Sequence, residues 1–316
     1  MSLNVIRCMH EGRTRWGVLR GGHVVFVPKD FPTTGELLSG TTLAELTSLD
    51  GPSVRVDTVE MLSPVTRNQR FVCQGANYRQ HMIESGIDPD VKKYNMIFTK
   101  APSCIVPAHS DVVRPRRVRF LDYEIELGLV LRRDISGPVS VTESNLLDFV
   151  AGLVIVNDYS ARDVQIPEGQ FYKGKSFRTF GPVGPRLCLL EARDVPLLQD
   201  LSLELKVDGQ VRQRDTTRNL VFGPAETLTE LSGVHDFSAG DLLATGTPAG
   251  CALAVPSPLK QRLGALIPEK KKWQVFFGQQ EKRPYLQPGQ VVEASIRSPG
   301  GEIDLGTQRN RVVQEA

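Results

Sequence analysis

Residues 120–131 constrain the fold most strongly, because apolar and acidic side chains alternate along them. In a strand, alternation sends five apolar residues to one face: Leu121, Tyr123, Ile125, Leu127 and Leu129. The other face then carries Asp122, Glu124 and Glu126. Carboxylates two residues apart on a strand are separated by about 6.7 Å and repel one another, and acidic residues form strands poorly. The segment is therefore either an amphipathic strand with its acids in water or a strand whose acids bind a cation.

A second segment, residues 149–158, is a run of apolar residues that stops at Asp158. Such a run is typical of a strand buried on both faces. We expect Glu124, Glu126 and Asp158 to form a site made only of oxygen donors. A site of this kind suits Mg²⁺ or Mn²⁺ first, and Ca²⁺ would also fit. Zinc is disfavoured because no His or Cys ligand lies nearby in the sequence.

The pattern of predicted elements favours a β-rich α+β fold. Strand-like runs recur at residues 97–100, 120–131, 149–157, 183–190, 201–207, 241–244 and 291–296. Helical patterns are shorter and cover residues 34–46, 78–85, 142–148 and 224–231. Asn77 is expected to cap the second of these helices, with Gln80 as its partner.

The first 60 residues contain two apolar-rich runs separated by Arg20-Gly21-Gly22, which predicts a hairpin. Ser63-Pro64 begins the next segment. We therefore expect a small β-rich N-terminal domain, residues 1–64, followed by a catalytic domain, residues 65–316.

The composition excludes several classes of protein. The 316 residues are 40% apolar and 23% charged, which indicates a soluble globular protein. A net charge of +2 is too small to favour nucleic acid. The longest apolar run, residues 149–156, falls far short of the roughly 20 residues that span a bilayer. Five scattered cysteines without a CxxC pair indicate reduced thiols. We expect a cytoplasmic protein that acts on a small molecule and binds neither nucleic acid nor membrane.

His81 and Glu84 form the next candidate site. If residues 78–85 are helical, these two side chains are three positions apart and share one face. A carboxylate partner would fix the imidazole tautomer and suit it to act as a general base on water. An isolated pair of this kind is also a common surface contact, so its function depends on reaching the predicted metal.

Two glycine-rich segments, residues 173–185 and 245–250, could hold a substrate carboxylate through Lys175 or Thr247, although each could equally be a simple turn. The chain lacks the Walker pattern, a GxGxxG turn after a strand and a GxSxG elbow. Nucleotide binding and serine hydrolysis are therefore disfavoured.

Six segments together resemble the fumarylacetoacetate hydrolase superfamily. In chain order they are NYRQH with Glu84, FLDYEIELG, NDYSARDVQ, GKSFRTFGPVGP, GTPAG and LGTQRNRVV. The resemblance implies a β-rich roll or distorted barrel, usually a homodimer, with a small N-terminal domain. It also implies that Glu124, Glu126 and Asp158 bind the metal, which are the three acids already selected by pattern.

The resemblance implies further roles for single residues. His81 and Glu84 match a pair that activates water, often on a lid, and Lys175 matches a lysine that contacts substrate. Three other positions match substrate-recognition residues: Arg162, Gln165 and Thr247. The chain departs from the family in residues 259–284, which are longer than the usual connection and leave the pocket size and substrate open. We expect this polar and basic stretch to be a solvated surface segment.

The implied reaction is metal-dependent hydrolysis of a carbon–carbon bond in a β-diketone or an acylpyruvate-type 2-oxo acid. The same enolate chemistry would serve decarboxylation of a 2-oxo acid or isomerisation of an unsaturated 2-oxo diacid. A binding protein without turnover is the alternative from another class.

Overall fold

Short strands dominate the computed structural model, which describes residues 2–91, 94–255 and 268–316. The strands of the first half of the chain are β1 (Leu3–His10), β2 (Arg13–Arg20), β3 (His23–Phe26), β4 (Ser53–Arg55), β5 (Glu60–Leu62), β6 (Phe71–Gly75), β7 (Met96–Lys100), β8 (Ile105–Pro107), β9 (Val112–Arg114), β10 (Leu121–Asp122), β11 (Ile125–Leu131) and β12 (Val150–Asn157). Those of the second half are β13 (Ser160–Ala161), β14 (Gly181–Val183), β15 (Leu187–Leu189), β16 (Ser202–Val207), β17 (Gln210–Thr216), β18 (Leu242–Ala244), β19 (Val291–Arg297) and β20 (Asp304–Gln314).

The described helices are short. They are α1 (Thr34–Gly40), α2 (Leu43–Ser48), α3 (Arg79–Glu84), α4 (Arg162–Glu168), α5 (Phe171–Lys175), α6 (Pro224–Ser232) and α7 (Glu269–Gln280). Single 3₁₀ segments lie at Val56–Thr58, Pro102–Cys104, Glu143–Asp148, Ala192–Gln199 and Thr217–Asn219. This content confirms the predicted β-rich α+β class.

Strands β11 and β12 lie at the centre of the fold and position the candidate site. Every residue of both strands is buried, which explains their apolar composition. They pair antiparallel, with Ile125 opposite Asn157 and Glu126 opposite Val156. Because the strands run in opposite directions, the start of β11 lies beside the end of β12. This register brings Glu124 and Glu126 next to Asp158.

Two sheets enclose the main core. Thirteen of the described strands form one sheet, whose main path is β4-β3-β2-β1-β15-β12-β11-β18-β6-β7, with β5, β8 and β14 paired beside it. Five other described strands form a sheet in the order β17-β16-β19-β20-β9. A single apolar cluster includes Leu127 and Ile155 from the first sheet and Leu203 and Ile296 from the second. The two sheets therefore pack face to face, which buries their apolar sides.

The N-terminal region continues the large sheet. The predicted hairpin is confirmed, since β2 pairs with β3 on either side of Gly21-Gly22. Strand β1 in turn pairs antiparallel with β15, with Leu3 opposite Leu189. The division of the chain at residue 64 stays a prediction.

Two of the predicted helices differ from the structure. Residues 34–46 do not form one helix, because α1 ends at Gly40 with Thr41 as its C-cap, and Thr42 caps α2 through a capping box with Glu45. The predicted cap at Asn77 is also wrong. Helix α3 begins at Arg79, and the Asn77 side chain instead bonds to the backbone of Phe222 and Thr245. A tertiary contact therefore uses the groups that would have capped the helix.

Two of the predicted strands are each divided. Residues 120–131 form β10 and β11, separated at Tyr123 and Glu124, so alternation does not persist through the segment. Of the two alternatives for this segment, the strand with its acids in water is wrong, because Asp122, Glu124 and Glu126 are all buried. Residues 183–190 likewise do not form one strand: Val183 is the last residue of β14, and Leu187–Leu189 form β15.

Residues 259–284 are only partly a solvated surface segment. Residues 259–267 lie outside the described residues, and α7 follows. Many of its side chains are exposed, but Phe277 stacks on Phe120 with ring centroids 5.9 Å apart and Gln280 is buried. The end of this helix is thus part of the packed structure.

Two other predictions concern cysteines and membranes. All five cysteines are free and buried, as expected for reduced thiols. None of the helices within the described ranges is both long and apolar enough to cross a membrane.

Candidate metal centre and adjoining cavity

Three buried carboxylates meet where β11 begins and β12 ends. Ligand oxygens of Glu124, Glu126 and Asp158 all lie within 4.8 Å of one another. All three side chains are buried, although Glu124 is 5% exposed and borders a cavity. The chain thus brings together the three acids that the sequence pattern predicted.

Glu124 is held by two cations. Arg162 Nη2 lies 2.5 Å from Glu124 Oε1, and Lys175 Nζ lies 2.6 Å from Glu124 Oε2. Burial alone would raise the pKa of Glu124, but the two cations outweigh burial and hold that pKa well below its ordinary value. Glu124 is therefore ionised at neutral pH.

Asp158 lies between two buried lysines. Lys175 Nζ donates to Asp158 Oδ2 at 2.6 Å and to Ser160 Oγ at 2.9 Å. Lys100 Nζ donates to Asp158 Oδ1 and to the carbonyl oxygen of Phe180. Burial opposes the charge on Lys100, but Asp158 outweighs it and raises the pKa of that lysine. Both cations therefore stay charged and fix the orientation of the carboxylate.

Sequence analysis did not identify Lys100. The available signal was a lysine that ends the apolar run of β7 and is followed by Ala101-Pro102. A lysine at a strand end is usually solvated, since lysine is almost never fully buried without a partner. Its partner is 58 positions away in the sequence, so only the tertiary structure identifies the pair.

Glu126 has no cationic partner among the described residues. Its Oε2 accepts a hydrogen bond from Gly246 N at 2.9 Å. Gly246 has a φ of +87°, a conformation that glycine adopts readily, and a Cβ there would lie 2.9 Å from Asn77 Cβ. Burial, followed by the charges of Asp158 and Glu124, raises the pKa of Glu126 well above its ordinary value. This carboxylate therefore lies in a negative field.

The donor set fits a hard divalent cation. The site contains four buried carboxylates (Asp122, Glu124, Glu126 and Asp158) and three buried cations (Lys100, Arg162 and Lys175), so ionisation of all four acids would leave one negative charge for a bound cation to compensate. The uncompensated charge is nearest Glu126, and the three clustered acids offer only oxygen atoms. Oxygen donors of this kind suit Mg²⁺ and Mn²⁺.

Asp122 is separate from the three clustered acids. Its oxygens accept hydrogen bonds from Arg162 Nε at 2.9 Å and from the backbone N–H groups of Ala252 and Leu253 at 2.8 and 3.0 Å. It therefore positions Arg162 and the segment that follows Gly250.

A cavity of about 180 Å³ adjoins the carboxylates. Glu124, Glu126, Arg162 and Lys175 line its charged side, and His81, Gln165 and Thr247 also border it. Apolar side chains from three parts of the chain line the remaining wall: Met96, Phe98, Ile166, Phe171, Leu253 and Val255. Such a cavity suits a small molecule with a polar end and an apolar end.

Comparison with known proteins identifies the family. A sequence profile described as fumarylacetoacetate (FAA) hydrolase, C-terminal, matches residues 70–313. The chain belongs to the fumarylacetoacetate hydrolase family.

Individual members of this family differ in their named activities. A Burkholderia multivorans protein named "Putative hydrolase" is 37% identical over 238 residues, which cover 74% of this chain and 82% of that protein. The oxaloacetate tautomerase YisK of Bacillus subtilis is 35% identical over 212 residues, covering 66% of this chain and 68% of the relative. Among solved structures, fumarylacetoacetate hydrolase from Exiguobacterium antarcticum superposes with a TM-score of 0.75 at 29% identity, covering 99% of this chain and all of that one. The predicted family and fold are therefore confirmed.

His81 and Glu84 match the water-activating pair of the fumarylacetoacetate hydrolase superfamily. His81 borders the cavity, whereas Glu84 is exposed, and no hydrogen bond or ion pair joins them among the described residues. The buried Nδ1 atom of His81 has no hydrogen-bond partner in the described structure. Burial lowers the pKa of His81, although the Glu124 and Glu84 charges oppose that change.

The three residues that match substrate-recognition positions in the family all border the cavity, and each of them makes hydrogen bonds within the protein. Arg162 bonds to Asp122, Glu124 and Gln165. Thr247 Oγ1 donates to the carbonyl oxygen of Ile125 and accepts from Gln213 Nε2. Gln165 Oε1 accepts from Arg162 Nη1 at 2.8 Å.

Proposed function

We propose that this protein is a metal-dependent enzyme that hydrolyses a carbon–carbon bond in a β-diketone or an acylpyruvate-type 2-oxo acid. The observation that carries the proposal is the cluster of Glu124, Glu126 and Asp158 within 4.8 Å, beside a cavity that His81 also borders. An oxygen-donor site next to a partly buried imidazole supports chemistry that needs both a cation and a base.

The proposed cofactor is Mg²⁺ or Mn²⁺, held by Glu124, Glu126 and Asp158. A bound divalent cation supplies Lewis-acid polarisation of a carbonyl oxygen. Lys100 and Lys175 keep the Asp158 carboxylate in one orientation, and Arg162 does the same for Glu124. These contacts reduce the reorganisation that binding would otherwise require.

His81 is the proposed general base. It takes a proton from water, and the resulting hydroxide attacks the substrate carbonyl carbon. When the carbon–carbon bond breaks, its electron pair leaves with the second fragment as an enolate, which His81 or solvent then protonates. The products are a carboxylate and, from an acylpyruvate, a 2-oxo acid, or, from a simple β-diketone, a ketone. Glu84 is proposed to orient His81, which would require their side chains to change rotamer when substrate binds, because both residues lie on α3.

The proposed substrate contacts are Lys175, Arg162, Gln165 and Thr247. Lys175 is buried and borders the cavity, but its three N–H groups already donate to Glu124, Asp158 and Ser160, so a substrate carboxylate would have to replace one of these acceptors. A buried cation at this position would attract a substrate carboxylate. Burial opposes its charge, but Asp158 and Glu124 raise the pKa of Lys175, so it stays protonated.

The test is an assay of acylpyruvates with Mg²⁺ or Mn²⁺ in ¹⁸O-labelled water. Hydrolysis should place one solvent oxygen in the new carboxylate product. We expect Glu126→Ala to lose metal binding and turnover together, and His81→Ala to lose turnover while it retains the metal. Absence of cleavage across the panel, with metal bound to the native protein, would refute C–C hydrolysis.

Tautomerisation or isomerisation of a 2-oxo acid is the second candidate, favoured by the 35% identity to an oxaloacetate tautomerase. A divalent cation held by the same three acids would stabilise an enolate without cleavage of a carbon–carbon bond, and this reaction needs no attacking water. In the described structure no hydrogen bond or ion pair joins Glu84 to His81, which agrees with a reaction that needs no activated water. A product of unchanged mass without ¹⁸O would support this reaction, whereas release of CO₂ would indicate decarboxylation of a 2-oxo acid.

A further inference from the structure

One wall of the cavity comes from the segment 252–255, which we call the wall segment. Its residues Leu253 and Val255 belong to the apolar lining of the cavity. The wall segment is neither helix nor strand, so its position depends on contacts from elsewhere in the chain. Those contacts decide how much space the apolar end of a substrate has.

Gln280, the last residue of α7, makes contacts on both edges of Ala254. Its Nε2 donates to the carbonyl oxygen of Ala254 at 2.9 Å, and its Oε1 accepts from Ala254 N at 3.3 Å. Tyr285 fixes the amide, because its hydroxyl donates to Gln280 Oε1 at 2.7 Å. Gln280 is 1% exposed. A buried amide that is satisfied in this way holds one orientation.

At the start of the wall segment, the hydrogen bonds come from Asp122 and Arg283 instead of Gln280. Asp122 accepts from the N–H groups of Ala252 and Leu253, and Arg283 Nε donates to the carbonyl oxygen of Ala252 at 2.9 Å. Ala254 lies between the two lining residues Leu253 and Val255. Within the described structure, the side-chain hydrogen bonds to the Ala254 backbone come from Gln280. Helix α7, which belongs to the long 259–284 region, thereby reaches the cavity indirectly.

We propose that Gln280 is a positioning residue that holds the wall segment against the cavity and so determines the size of the uncharged acyl arm that a substrate can carry. The part of this inference that concerns substrate size rests on the proposed function. The hydrogen bonds between Gln280 and Ala254 do not depend on it. The apolar lining from Met96, Phe98, Phe171, Leu253 and Val255 favours an uncharged arm.

The test compares Gln280→Leu, which keeps the volume but removes the hydrogen bonds, with Gln279→Ala on the exposed neighbouring glutamine as the matched control. Tyr285→Phe removes only the hydrogen bond that orients the amide. We expect Gln280→Leu to raise the ratio of kcat/KM for benzoylpyruvate to that for acetylpyruvate by about tenfold, the factor that one lost hydrogen bond can produce. Tyr285→Phe should give a smaller change in the same direction. Gln279→Ala should leave the ratio unchanged, and Mn²⁺ affinity should stay constant in all three variants.

A second measurement does not need turnover. Amide hydrogen exchange in the peptide that contains residues 252–255 should be faster in Gln280→Leu than in the native protein, whereas exchange in β16 should be the same. A general loss of stability would accelerate both peptides. Unchanged exchange at 252–255, or an unchanged substrate ratio in an active Gln280→Leu enzyme, would overturn the proposal. If the native protein acts on neither substrate, the proposed hydrolysis fails, and the exchange result alone decides the role of Gln280.

Discussion

At the scale of single residues, the site is distinguished by how unevenly its charges are paired. Glu124 and Asp158 each contact two cations, whereas Glu126 receives one backbone N–H group and no cation within the described part of the chain. An unpaired buried carboxylate costs stability unless it serves a purpose. Glu126 is therefore the residue whose substitution separates folding from metal binding most clearly.

The first prediction concerns Glu126→Gln. The amide keeps the shape and cannot ionise in the negative field of Asp158 and Glu124, so the metal-free variant should be at least as stable to heat as the native protein. Its Mn²⁺ affinity should fall by at least about 100-fold, since the loss of residues that merely support a ligand already costs about 10- to 100-fold. Titration calorimetry and thermal unfolding with and without Mn²⁺ measure both effects. A variant that binds Mn²⁺ as tightly as the native protein would contradict the assignment of Glu126 as a ligand.

The second prediction concerns pH. Burial lowers the pKa of His81 from its ordinary value of 6.5, so the imidazole is neutral and able to accept a proton at neutral pH. Activity should persist as the pH falls to 6.5 and then decline as His81 becomes protonated. The acid limb of kcat/KM against pH should therefore have its midpoint below the value for free histidine. A midpoint above that value would exclude His81 as the base in this environment.

The residues of the site were predictable to different degrees. Glu124, Glu126 and Asp158 could be selected because acids within or directly after apolar strands conflict with burial. Lys100 could not, because its partner Asp158 is 58 positions away in the sequence and the pair depends on how distant segments pack. The roles of Arg162, Gln165 and Thr247 stay predictions, although all three border the cavity.

At the scale of elements, the strand pattern identified β11 and β12 but not the break before β11. Alternation predicted one continuous strand, whereas Tyr123 and Glu124 interrupt it. The interruption lets Asp122 bond to Arg162 and to the wall segment while Glu124 joins the cluster. Local pattern cannot reveal this, since the contacts involve residues 40 and 130 positions away.

The third prediction tests that arrangement through Asp122→Asn. The substitution removes a buried negative charge beside Arg162 and replaces an acceptor oxygen with a donor. We expect the free energy of unfolding to fall by about 3 kcal/mol, the usual cost of removing one member of a buried ion pair. Urea denaturation measures the change. Asp57→Asn, in the exposed pair with Arg55, is the control and should leave stability unchanged. Equal free energies of unfolding in the two variants would show that the buried contacts of Asp122 do not stabilise the fold.

At the scale of the whole molecule, the fold class followed from the frequency of strand-like runs, but the strand order did not. The central sheet joins β1 to β15 and β18 to β6, and these pairs are far apart in sequence. Apolar periodicity identifies strands and says little about which strands pair. The family resemblance supplied the architecture that periodicity lacked.

The fourth prediction concerns assembly. The family resemblance implies a homodimer, so light scattering after size exclusion should give twice the mass of one chain. The expected mass should persist on dilution to low micromolar concentration, because stable homodimer interfaces are large and apolar. A single-chain mass across that range would contradict the prediction.

The antiparallel contact between β1 and β15 has a consequence for attempts to shorten the protein. Strand β15 pairs with β12 on one side and with β1 on the other. Removing residues 1–64 would make β15 an edge strand of the sheet. The backbone amides and carbonyls of Leu187–Leu189 that now face β1 would then be unpaired. Exposed apolar edge strands pair with strands from other molecules and lead to aggregation. The N-terminal segment therefore protects the rest of the protein from self-association, whatever its part in the chemistry.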